Sequence, residues 1–143
     1  MSVEALDAIR KSVVVAAPVE RAWELFVERM GSWWPLATHS IGGEQTETAI
    51  ATSDRIFERW QDGSERVWGH MLAWEPPHRL VFTWEVGEDC GNEVEVRFLA
   101  EGDVTRVELE HRGWDSGTTP ESWRGYDTGW GAVLARFEAA AAV

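Results

Sequence analysis

Apolar positions recur along this chain with two periods, and the switches between them mark out its elements. Ile9 to Val15 suits a strand, with Val13-Val14-Val15 its strongest part. Ala17-Pro18 stops it, and Pro18 fits the first position of a helix. Val19, Ala22, Trp23, Phe26, Val27 and Met30 then follow at i, i+3, i+4, i+7, i+8 and i+11, which predicts an amphipathic helix ended by Gly31. So short an excursion disfavours a parallel return, so this helix is expected against the outside or one end of a sheet. Ser32 to Ser40 has no clean period. Its Trp33-Trp34-Pro35 predicts a short helical turn or a loop pinned by aromatic packing, and Gly42-Gly43 breaks the chain again.

The period then becomes two. Thr46 to Ala51 predicts a weak edge strand. Arg55 to Trp60 and Glu65 to Glu75 flank Asp62-Gly63, a strong hairpin signal. Pro76-Pro77-His78 turns the chain into Arg79 to Val86, and a loop carrying Cys90 leads to Asn92 to Ala100. There Val94, Val96 and Phe98 alternate with Glu93, Glu95 and Arg97, the signature of a strand with one wet face. Glu101-Gly102-Asp103 turns into Val104 to His111, with Val107 and Leu109 alternating with charged residues. Arg112 to Thr118 reads as loop and residues 1–8 as a frayed tail.

Thr119-Pro120-Glu121 then starts a helix: a hydroxyl at the cap, proline at the first helical position, and an acid at the positive end of the dipole. Tyr126, Trp130, Val133, Leu134, Phe137 and Ala141 form one long apolar stripe on it. Gly125, Gly129 and Gly131 each weaken a helix by about 1 kcal/mol relative to alanine. They predict either loose, gate-like first turns or a regular helix that begins only near Gly129, and the late start is preferred. Short connections make the sheet an antiparallel meander, which must bury its dry face. The terminal helix is the element with a stripe long enough to do so. The expected fold is α+β: a curved antiparallel sheet of six to seven strands wrapped around the C-terminal helix, with a short helical region after the first strand. Residues 1–143 are expected to make a single domain with a cavity between sheet and helix.

Composition changes this picture in three places. A formal charge of −12 argues against nucleic acid and against an anionic membrane surface, since phosphate binding needs concentrated Lys and Arg. No apolar run approaches the ~18 residues of a membrane span, and Glu4 and Asp7 interrupt any apolar signal-peptide core. A cytoplasmic protein is therefore expected. Ten tryptophans imply either a generously aromatic core or a cavity walled for a flat or apolar guest. They also admit a homodimer face, though no residue demands one. Cys90 stands alone among acidic neighbours that would raise its thiol pKa, so it is given no catalytic role.

Strand alternation assigns candidate cavity residues. Trp68, His70, Leu72 and Trp74 share one face of their strand; Leu80, Phe82 and Trp84 share one face of the next; His111 lies with Val107 and Leu109. A bulge would reverse any of these. His70 and His111 are candidate donors or acid–base groups, or else histidines satisfied by backbone. His39, after the paired tryptophans, is placed at the cavity mouth or in water, the latter preferred. One of Glu58 and Arg59 must point inward from Ile56–Trp60, where it would anchor a polar ligand head; outside, the pair would sit in water at an edge. Tyr126, the sole tyrosine, is a ligand donor or a core cap. No histidine or cysteine spacing matches a zinc motif, and no GxGxxG, P-loop, nucleophile elbow or HExxH occurs. No metal and no cofactor are expected.

The stretch Trp68-Gly69-His70-Met71-Leu72-Ala73-Trp74-Glu75-Pro76-Pro77-His78-Arg79-Leu80-Val81-Phe82-Thr83-Trp84, in this order of elements, resembles the START-like, helix-grip superfamily (SRPBCC). Within it the chain is similar to the branch named after the activator of the ninety-kilodalton heat-shock chaperone's ATPase. Val15 to Trp23 resembles that family's first strand running into its first helix. Arg106 to Gly113 resembles its last strand, and Gly129-Trp130 with Leu134 the start of its gripping helix. The resemblance spans roughly Ile9 to Ala141. It implies the helix-grip fold and, across the superfamily, binding of lipids, hormones or polyketides, with chemistry in the same cavity in some members.

Three functions are therefore expected in descending order. The first is non-catalytic binding of a small, largely apolar or aromatic ligand, lined by Trp68, His70, Phe82, Trp84, His111, Tyr126 and Trp130 with Glu58 as polar anchor. The second, implied by the branch name, is binding of a chaperone or other protein partner. The third is a cyclase, dehydratase or lyase using His70 or His111 with Glu58, which requires those side chains to converge.

Overall fold

A computed structural model of the chain describes residues 6–86, 91–114 and 118–142. Seven strands form one antiparallel sheet: β1 (Ile9–Val15), β2 (Thr46–Ala51), β3 (Arg55–Trp60), β4 (Glu65–Glu75), β5 (Arg79–Trp84), β6 (Asn92–Glu101) and β7 (Val104–Arg112). Their order is β1-β7-β6-β5-β4-β3-β2, a meander from β2 to β7 onto which β1 adds at the far edge. Register is fixed by burial. Val94, Val96 and Phe98 of β6 face His111, Leu109 and Val107 of β7 on the concave side. The Asp62 turn closes as expected, with Trp60 N–H donating to the Ser64 carbonyl at 2.8 Å and Ser64 N–H to the Asp62 carboxylate at 2.8 Å. Residues 87–90 of the Cys90 loop, residues 1–5 of the expected tail and residues 115–117 of the loop after β7 lie outside the described residues. The rest of that tail is tied down, since Trp123 Nε1 donates to the Asp7 carbonyl at 2.8 Å.

The helical region after β1 is longer and less regular than its stripe predicts. A helix, α1 (Val19–Trp23), widens into a π-type turn over Glu24–Glu28, where Arg29 N–H reaches back five residues to the Glu24 carbonyl at 3.0 Å. A second short helix, α2 (Met30–Trp33), follows, so Gly31 does not end the segment. The widened turn places Leu25, Phe26 and Val27 in the core together, which a 3.6 period would not do. Phe26 meets Phe98 of β6 at 5.7 Å between ring centroids. The segment therefore closes one end of the concave face.

The terminal helix, α3 (Pro120–Ala141), is regular from its first turn. The late start near Gly129 is corrected by its cap: Thr119 Oγ1 accepts from Ser122 N–H at 3.0 Å, and Pro120 sits where no N–H is needed. Burial of Trp130, Val133, Leu134 and Phe137 outweighs the glycine cost. Lys11 of β1 pairs with Asp127 at 3.0 Å and ties the helix to the sheet edge. No described helix is long and apolar enough to cross a membrane.

On the convex face the acids pair with arginines. Glu95, although buried, contacts Arg79 at 2.7 Å and Arg112 at 2.5 Å, and Arg112 also reaches Glu93 and Glu110. Burial alone would raise the Glu95 carboxyl, but these hydrogen bonds and charges win and lower it to about 2.

Candidate functional site

Two halves of α3 meet different surroundings. Toward its C-terminus Phe137 is wholly buried, 5.0 Å from Phe26 and 5.2 Å from Trp33 between centroids, and the space is solid. Toward its N-terminus a cavity of about 310 Å³ opens between helix and sheet. Its walls are Trp34, Trp68, Trp84 and Trp130, with Tyr126 and Val133 from α3 and Thr38 to Ile41 from the loop after α2. The helix contributes Ser122, Gly125 and Gly129 on the same side. These lack bulk at i, i+3 and i+7, one helical face. A Cβ built on Gly125 would meet nothing within 4 Å, and one on Gly129 only the edge of the His39 ring. The glycines that weaken the helix are also what leaves the hollow.

The tryptophan N–H groups are turned into the protein. Trp34 Nε1 donates to the His39 carbonyl at 2.7 Å, Trp68 Nε1 to Glu58 at 2.6 Å, and Trp130 Nε1 to His111 Nδ1 at 3.0 Å. These three walls consequently offer carbon faces to a guest. Trp84 Nε1 is buried and has no hydrogen-bond partner among the described residues.

Of the predicted lining, Trp68, Trp84, Tyr126 and Trp130 are at the cavity. Phe82 points inward but lies deeper, packed on Trp84 at 6.3 Å. His111 stands behind the wall, fully buried against Trp84 and Trp114 at 5.4 and 4.2 Å. Because an indole nitrogen only donates, the Trp130 contact makes Nδ1 an acceptor, so Nε2 carries the proton and donates to Asn92 Oδ1 at 2.8 Å. Burial lowers its pKa from 6.5 to about 3, and the neutral ring is a structural pillar. Below pH 6.5 the unfolded chain takes up a proton that the folded chain refuses. Stability is therefore expected to fall as pH drops from 6.5 to about 5.5, with a slope that approaches about 1.4 kcal/mol per pH unit, above the range in which the carboxylates of the unfolded chain take up protons. Urea unfolding across that window checks this; the same slope in His111→Gln would refute it.

His70 and Leu72 are corrected to the convex face. β4 carries two bulges: Gly69 and Val67 pair with consecutive residues of β3, and Met71 and Ala73 with consecutive residues of β5. Trp68, Met71 and Trp74 therefore point inward at intervals of three, while Leu72 is 58% exposed. Gly69 permits the first bulge, because a Cβ there would lie 1.6 Å from the Thr83 carbonyl oxygen. His70 instead meets Glu85 at 2.8 Å in solvent.

Glu58 does point inward and is completely buried, but it is not a free anchor. Its carboxylate accepts from Ile41 N–H, Gly42 N–H, Thr46 Oγ1, Trp60 Nε1 and Trp68 Nε1, all within 2.6–2.9 Å. Burial pushes the carboxyl up, and these donors outweigh it and hold the pKa below 4.5. It fastens the 38–42 loop to the sheet and aims Trp68. The acid–base trio of Glu58, His70 and His111 is thus not brought together. His39, for which water was preferred, is half-buried and lines the cavity.

The model of the family described as Activator of Hsp90 ATPase homolog 1-like protein matches residues 16–142. Among solved structures, an anthrahydroquino-gamma-pyrone synthase, Txn09, is 34% identical over 93% of this chain and 96% of its own, with a TM-score of 0.57. CalU16 from Micromonospora echinospora is 24% identical over 90% of this chain and 72% of its own, with a TM-score of 0.63. The Aha1 dimer from Colwellia psychrerythraea is 15% identical over 96% and 98%, with a TM-score of 0.68. The last two likenesses concern fold alone. No curated protein matches the chain.

Proposed function

Since the chain belongs to the Activator of Hsp90 ATPase homolog 1-like family, we propose that its helix-grip cavity binds one small, flat, largely apolar molecule of aromatic-polyketide type. The observation that carries this is the hollow of about 310 Å³ walled by four tryptophans, at the lower end of the size range of ligand pockets and lined mostly by carbon. The 34% identity to a protein named as a synthase of an anthrahydroquino-gamma-pyrone supports the aromatic class. It also favours a second reading, in which the chain transforms such a molecule rather than only holding it.

Titration of intrinsic tryptophan fluorescence with polycyclic aromatics, phenols and lipids tests the reading. Aromatics of two or three rings are expected to quench it saturably. Gly129→Leu should abolish that quenching, because its side chain enters the hollow while improving helix propensity by up to about 1 kcal/mol. Unchanged fluorescence with every class would overturn the proposal. Quenching that survives Gly129→Leu would move the site elsewhere. Product formation from a bound aromatic would decide for the second reading. Co-purification of a chaperone ATPase with an unresponsive cavity would favour a partner-binding role.

A further inference from the structure

We propose that the guest is a neutral aromatic carrying a phenolic or enolic hydroxyl, and that His39 selects it by accepting that O–H at Nε2. This rests on the cavity being a ligand site, as argued above, and adds what the site reads.

The polar atoms around the cavity are nearly all committed to the protein. Three of the four indole N–H groups go to protein acceptors. Ser40 Oγ gives its proton to the Leu36 carbonyl at 2.5 Å and accepts from Gly43 N–H at 2.9 Å. Tyr126 Oη donates to the Val86 carbonyl at 3.3 Å. The Thr38 hydroxyl lies 2.7 Å from His39 Nδ1 and 3.4 Å from the Pro35 carbonyl, so its one proton can go to either. When that proton turns to Pro35, Nδ1 carries the imidazole hydrogen and donates it to the hydroxyl, which leaves a lone pair on Nε2, and an O–H donor arriving at Nε2 selects this tautomer.

That nitrogen has no partner among the described residues. Its edge of the ring faces the bare stretch of α3, where a Cβ on Gly129 would stand 3.7 Å from Cδ2 and 3.9 Å from Nε2. The loop that carries His39 is held by Glu58 through Ile41 and Gly42, and by Trp34 through the His39 carbonyl itself. The ring is therefore positioned before any ligand arrives. Among the described residues no Lys, Arg, Asp or Glu lines the cavity, so none of them would replace the hydration that a charged guest loses. A neutral O–H donor on an aromatic plane satisfies both the carbon walls and an imidazole whose Nδ1 side already has a partner.

The test compares 2-naphthol with 2-fluoronaphthalene, which has nearly the same shape and no donor, by calorimetry or tryptophan quenching on the full chain. Wild type is expected to prefer the naphthol by about tenfold, the worth of one well-placed hydrogen bond. His39→Phe should bind both probes with equal affinity. Thr38→Val, which removes the partner of Nδ1 and frees the ring to change tautomer, should narrow the preference. Equal binding of the two probes by wild type would overturn the role of His39 while leaving the ligand site intact, as would a tenfold preference that persists in His39→Phe. Failure of both probes to bind would overturn the ligand site and this inference together.

Discussion

Replacement of Glu58 by glutamine is expected to destabilise the fold by about 3 kcal/mol or more, although the two side chains have nearly the same shape. The carboxylate takes five donors on two oxygens and has no positively charged partner among its contacts. An amide keeps one of those oxygens and turns the other into an NH₂ group facing donors, so several N–H and O–H groups lose their acceptor inside the protein. Because the folded pKa lies below 4.5, the contribution of Glu58 is fully present above that value and is lost as pH falls through the depressed one. Urea unfolding at neutral pH gives the magnitude. A loss under about 1 kcal/mol would show that the 38–42 loop is held by other means. Tryptophan emission reports the same event, since Trp60 and Trp68 both give their indole N–H to this group.

Phe137→Ala is expected to cost about 3–5 kcal/mol. The side chain is wholly buried and is the point where α3, the segment after β1 and β6 are joined through Phe26 and Phe98. Its removal leaves a void among rings that cannot collapse without shifting a helix. Thermal and urea unfolding both read the loss. A change below about 1.5 kcal/mol would mean that the aromatic cluster repacks freely.

The fold was legible because most strands keep strict alternation, as in β6 and β7, and because turn residues fall where the hairpins close. The terminal stripe from Trp130 to Phe137 likewise faces the sheet as its spacing predicts. The site was legible only in part, for three physical reasons. Period-two reasoning has no term for a bulge, and the two in β4 send His70 outward and bring Met71 inward. Gly69 was the available signal, since a glycine inside a strand often marks such a step. Propensity counts a glycine as a defect, whereas Gly125 and Gly129 act through the space they leave empty. Finally, strand alternation leaves open which of Glu58 and Arg59 points inward, and the partners of Glu58 are the backbone of a loop without a period, one hydroxyl and two indoles. A buried carboxylate among tryptophans is satisfied by N–H groups as readily as by an arginine, and those N–H groups carry no charge to betray them in a sequence.

The division of α3 between a packed end and an open end separates two kinds of selective demand. Folding leans on Leu134, Phe137 and the rings beneath them, while the shape of the cavity is set roughly one to four turns earlier, at positions whose side chains support little. Descendants of this chain can therefore exchange Ser122, Gly125 or Gly129 and reshape the cavity without first surviving a loss of structure. That freedom is a mechanical basis on which one scaffold varies the space it encloses.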